Sequence, residues 1–130
     1  MKAPIFGLSH IALRVTDLDR AVAFYESAFG ARQYFRDERS AQVLGPGPAD
    51  VIAFELSPEG AGQVGGVMHF GMRLTGPERL DEVIERVVGA GGRVASRGDF
   101  GNNQPYAFIH DPDGYEIEIW HENTPHHSPR

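Results

Sequence analysis

The chain contains no cysteine. That absence excludes disulfides, thiolate nucleophiles and thiolate metal sites, so a metal could be held only by nitrogen and oxygen donors from His, Asp or Glu. No apolar run reaches membrane length, and no basic segment leads into an apolar stretch. The expectation is a soluble, cytoplasmic protein with no membrane partner. A basic excess is missing too: 12 Lys and Arg stand against 18 Asp and Glu, a formal charge of −6, which argues against nucleic acid as a partner. What is present is apolar mass for a core, 41% of 130 residues, enough for one domain or two small halves fused together. The 16 glycines and 9 prolines imply many turns.

"SHIALRV" at Ser9–Val15 and "MHFGMRL" at Met68–Leu74 share one pattern, x-His-apolar-small-apolar-Arg-apolar. Alternation from Ile5 to Val15 predicts a strand, with His10, Ala12 and Arg14 on one side and Ile11, Leu13 and Val15 on the other. Thr16 and Asp17 suit a helix N-cap, and Leu18, Ala21, Val22, Tyr25, Ala28 and Phe29 follow helical spacing up to Gly30. Strands are predicted at about Arg32–Asp37, Ser40–Leu44 and Val51–Leu56, and the Gly-rich Ser57–Gly66 reads as a linker. The plan then repeats. A strand at Val67–Leu74 leads through Thr75-Gly76-Pro77 into a helix striped by Leu80, Val83, Ile84, Val87 and Val88 and ended by Gly89. Strands follow at about Gly92–Arg97, Gln104–His110 and Tyr115–His121, the last two joined by the turn Asp111-Pro112-Asp113-Gly114. This gives module 1 at about 1–58, module 2 at about 66–122 and a polar tail at 123–130 within one domain.

A shift of 59 residues sets His10 on His69, Arg14 on Arg73 and Gly30 on Gly89; a shift of 63 sets Glu55 on Glu118. Each half therefore offers one imidazole on its first strand and one carboxylate on its last. His10, Glu55, His69 and Glu118 together suit a divalent cation such as Zn, Ni, Co, Mn or Fe(II). Two carboxylates about 4 Å apart repel by roughly 4 kcal/mol at an effective dielectric of 20, a conflict that a cation removes. The competing reading makes each His a hydrogen-bonded core residue and lets each Glu face solvent. His110 reads as support for the adjacent turn, His121 as a surface residue, and Trp120 as pocket wall or dimer seam.

The stretches "SHIALRVTDLDRAVAFYESAFGA", "MHFGMRLTG" and "DPDGYEIEIW" resemble the vicinal-oxygen-chelate superfamily, which includes glyoxalase I, extradiol dioxygenases, methylmalonyl-CoA epimerase, fosfomycin-resistance transferases and bleomycin-binding proteins. The resemblance runs from about Ile5 to Glu122. It implies an α+β fold in which two βαβββ modules form an open, cup-shaped, eight-stranded barrel, as a homodimer. It also implies a metal on His10, His69 and Glu118, with Glu55 at a fourth position that is Glu in glyoxalase I and Gln in the epimerase. Arg14 matches a glyoxalase I position that holds a glutathione carboxylate. Gly98–Pro105 has no lysine for a thiol or phosphonate substrate, and Phe108 stands where extradiol enzymes place a Tyr. The expected function is a metal-dependent, glyoxalase-like lyase for a small substrate. Glu55 and Glu118 are the catalytic carboxylates, and Arg14, Arg73, Tyr106, Phe108 and Trp120 contact the substrate. The alternatives are an Fe(II) extradiol-type dioxygenase and a metal-free drug-binding protein.

Overall fold

The computed structural model describes residues 3–5 and 7–122. The polar tail at 123–130, with His126 and His127, lies outside them. The chain divides into two compact units, Met1–Gly62 and Gln63–Arg130. Each unit is a four-stranded mixed sheet carrying one α-helix, an α+β architecture.

The first unit runs β1 (His10–Val15), α1 (Leu18–Phe29), β2 (Arg32–Arg36), β3 (Ser40–Leu44) and β4 (Val51–Leu56), with sheet order β1-β4-β3-β2. β1 and β4 are parallel; the other pairs are antiparallel. The Asp17 carboxylate accepts the Arg20 N–H at 3.0 Å and starts α1. Gly30 ends the helix at φ 71°, a left-handed conformation that a Cβ disfavours. No atom would crowd that Cβ, so Gly30→Ala carries only the backbone penalty. It is expected to cost about 1 kcal/mol in urea unfolding. The apolar stripe of α1 lies on the sheet, where Tyr25 meets Phe54 with ring centroids 5.1 Å apart and both are fully buried. Leu13, Val15, Val43 and Ile52 complete this core. The alternate residues of the strands face away from α1.

The second unit runs β5 (Phe70–Arg73), a 3-10 turn (Pro77–Arg79), α2 (Leu80–Gly89), β6 (Arg93–Asp99), β7 (Pro105–His110) and β8 (Glu116–Trp120), with order β5-β8-β7-β6. β5 and β8 are parallel. Leu80, Val87, Ala107, Ile109, Ile117 and Ile119 are buried between α2 and the sheet. At the start of α2, the Arg79 guanidinium hydrogen-bonds the Glu82 carboxylate and holds it below the usual carboxylate range.

The starts of two strands differ from the sequence expectation. The first strands begin at His10 and Phe70, not at Ile5 and Val67. Their partners set this limit: His10 lies opposite Val51, where β4 begins, and Phe70 lies opposite Ile117 on β8. The second helix ends at Gly89, as the sequence predicts, although the left-handed residue comes later. Gly89 is its last helical residue, and the positive φ falls on Gly91 at 103°, after Ala90 has capped the helix. None of the described helices is long and apolar enough to cross a membrane.

Candidate functional site

Each unit has one sheet face turned away from its helix, and the candidate residues stand on these two faces. In the second unit the face away from α2 carries Glu116, Glu118 and Trp120 on β8 and Tyr106, Phe108 and His110 on β7. The register sets Trp120 opposite Tyr106, Glu118 opposite Phe108 and Glu116 opposite His110. Across the parallel pair, Glu118 faces Gly71 and Trp120 faces Arg73. His69 immediately precedes β5, on the same side as Gly71.

His69 Nε2 lies 3.4 Å from Glu118 Oε1, with the side chains 30% and 17% exposed. That spacing is longer than a direct N–H···O bond. The His69 ring is held edge-to-face on Phe108, centroids 5.1 Å apart. One row away, His110 Nε2 lies 3.3 Å from Glu116 Oε1. The two carboxylates of β8 thus share a face, and each has its own imidazole. His110 does more than support the turn, and the sequence pointed to this only through the i, i+2 spacing of Glu116 and Glu118. His110 Nδ1 and His121 Nδ1 are buried with no hydrogen-bond partner among the described residues. His121, expected at the surface, is half-buried.

In the first unit the face away from α1 carries His10, Ala12 and Arg14 on β1 and Val51, Ala53 and Glu55 on β4. His10 is exposed, and its Nδ1 is 2.7 Å from Ser9 Oγ. The Ser40 hydroxyl donates to Glu55 Oε2 at 2.7 Å. Glu55 lies opposite Arg14, while Ala53 lies opposite Ala12. This corrects the 63-residue alignment. In the second unit the carboxylate faces the position two residues after the histidine. In the first unit that place belongs to Ala53. Glu55 sits four residues after His10 in register, about 13 Å along the strand at roughly 3.3 Å per residue.

Neutral imidazole nitrogen and carboxylate oxygen, paired as in His69 and Glu118, are a donor set that divalent cations accept. Among the described residues, neither unit alone gathers three His, Asp or Glu side chains into a group able to hold an ion. Arg73, exposed at the end of β5, donates to the Glu122 carbonyl at 3.1 Å.

The chain belongs to the Glyoxalase/Bleomycin resistance protein/Dioxygenase superfamily, whose profile matches residues 7–119. Lactoylglutathione lyase of Salmonella typhimurium is 31% identical over 121 residues, covering 86% of this chain and 90% of that protein. A trivalent organoarsenical cleaving enzyme of Bacillus sp. (strain MD1) is 31% identical over 128 residues, covering 89% of this chain and 73% of its own length. The fold matches the fosfomycin resistance protein FosX of Listeria monocytogenes with a TM-score of 0.77 at 22% identity, over 92% of this chain and 95% of that one. The chain spans only about a third of a probable chloroplastic lactoylglutathione lyase of Arabidopsis thaliana, 28% identical over 122 residues and covering 85% of this chain and 34% of that protein.

Proposed function

We propose that this chain is a divalent-metal-dependent, glyoxalase-like enzyme acting on a small substrate through two adjacent oxygens. The pairing of His69 with Glu118 on an open sheet face carries this reading. These two residues would hold the metal together with His10, supplied by the first unit of this chain or of a second copy. When bound, the metal supplies a positive charge that stabilises developing oxyanions. The closing of both sheets into a cup-shaped eight-stranded barrel, the homodimer and a cytoplasmic location belong to the same proposal.

Glu55 is offset by one row from the counterpart of Glu118, and we assign it to proton transfer. The Ser40 hydroxyl orients its carboxylate, and Arg14 stands opposite on the neighbouring strand. In this role Glu55 takes a proton from one carbon of the substrate and returns it to the adjacent carbon. Arg14 and Arg73 offer positive charge to anionic ends of the substrate, and Tyr106, Phe108 and Trp120 offer apolar contact.

The test is turnover of the hemithioacetal of methylglyoxal and glutathione, with Zn, Ni, Co or Mn added in turn. Metal-dependent product formation without oxygen uptake is expected. Glu55→Gln should lower kcat by about 10²–10⁴-fold while metal stays bound, the range of general acid–base catalysis. If Glu55→Gln turns over as fast as the parent, the proton-transfer role is wrong. One observation favours a second reading. With Ala53 at the counterpart of Glu118, the remaining set of His10, His69 and Glu118 is two histidines and one carboxylate, a set suited to Fe(II) and oxygen chemistry. Oxygen consumption with Fe(II) and a catechol, measured at an oxygen electrode, would select it. A drug-binding protein that uses no metal would bind none of these ions.

A further inference from the structure

Aromatic side chains gather beside the His69–Glu118 pair, and two glycines make room for them. Tyr106 and Trp120 are cross-strand partners, and Phe108 is the partner of Glu118 itself. Gly98 lies opposite Tyr106 on β6, and a Cβ there would overlap the Tyr106 hydroxyl. Gly71 lies opposite Glu118, and its Cβ would come within 3.4 Å of Trp120 Nε1. The phenol of Tyr106 therefore extends over bare backbone, and the edge of the indole reaches back towards the row of Glu118. Phe100, in the turn between β6 and β7, stacks on Tyr106 with centroids 4.3 Å apart and planes 21° apart. It remains 58% exposed. At the end of the same row stands Arg73, opposite Trp120 and donating to the Glu122 carbonyl.

Taking the metal-dependent reading as its basis, we infer that the ligand handled by His69 and Glu118 carries a planar aromatic ring next to its oxygen-bearing head. The ring lies against Tyr106, Phe108 and Trp120, where flat faces and edges give contacts beyond those of apolar area alone. The anionic head matches the charge of Arg73. A lactoyl-type substrate would offer only a methyl group to this aromatic surface, and so less contact than a ring. Gly98 and Phe100 are the specificity-determining residues, because one gives the Tyr106 ring its place and the other stacks on it.

Trp120 is the only tryptophan in the chain, so its fluorescence reports on this surface directly. The probes are mandelate, lactate and hexahydromandelate, which share one 2-hydroxycarboxylate head and differ in phenyl, methyl and cyclohexyl. Each is titrated into the full chain with and without zinc. Mandelate is expected to bind at least about tenfold tighter than lactate, with hexahydromandelate closer to lactate. Phe100→Ala, an exposed position, and Gly98→Ala, which displaces Tyr106, should each narrow the ratio of mandelate to lactate affinity. Equal affinity for mandelate and lactate in the parent protein overturns the inference. So does a hexahydromandelate affinity equal to that of mandelate, or a ratio unchanged in both variants. Zinc binding is measured separately by calorimetry. If zinc fails to bind while the mandelate preference persists, the metal reading falls and the aromatic preference stands.

Discussion

Glu118→Gln is expected to weaken divalent-metal binding by at least about 100-fold, because loss of an outer partner to a ligand alone typically costs 10- to 100-fold. Glutamine keeps the length of the side chain and removes its charge. The variant therefore tests the electrostatic part of the proposed ligation with little change in shape. His69→Ala should have an effect of similar size, since His69 and Glu118 lie 3.4 Å apart on one face. His10→Ala should weaken binding as well. Glu55→Gln should leave the affinity within about twofold, since some 13 Å of strand separates its row from that of His10. Zinc titration by calorimetry with each variant reads these values. If Glu55→Gln falls as far as Glu118→Gln, the metal has four ligands and the proton-transfer assignment of Glu55 is wrong.

Asp111→Ala is expected to destabilise the chain by about 3 kcal/mol, because it strips a cluster of backbone donors of a charged acceptor. Asp111 is 5% exposed, the one buried charged residue among the described ones. Its Oδ1 accepts the N–H groups of Asp113, Gly114 and Tyr115 at 3.0, 3.0 and 2.9 Å. Alanine fills no part of that acceptor role. Asp111→Asn keeps an oxygen without the charge and should cost about half as much. Chemical unfolding with two optical probes checks both values. The same turn fixes how β7 and β8 pair, and so fixes Glu118 opposite Phe108. A metal affinity that falls along with stability in Asp111→Ala is the expected companion effect.

Much of this architecture was legible in the residues. Period-2 alternation separates Ile11, Leu13 and Val15 from His10, Ala12 and Arg14, and burial follows that split. Asp17 and Gly30 bound α1 by local chemistry, and the Asp111–Gly114 turn closes its hairpin by local hydrogen bonds. The register of β1 on β4 was not legible. A helix and two strands separate them in sequence, so no turn geometry ties one to the other. For the same reason Ala53, not Glu55, emerged as the counterpart of Glu118 only from the sheet itself. Alternation also continued past the true strand starts, because it records which way side chains alternate and not where a partner strand begins. Phe100 drew no notice in sequence, since a phenylalanine within a polar turn shows nothing of the ring that it stacks on.

The displacement between the two parallel pairs is an even number of residues. A slide of one position would have turned Phe54 and Ile52 outward and carried Glu55 and Ala53 beneath α1. A slide of two leaves every apolar side chain in its layer and moves only what stands on the other surface. A repeated sheet can therefore re-site an acidic group by a full step without disturbing the packing that keeps it folded. The two halves of this chain are alike in architecture and differ in where that architecture sets its carboxylate.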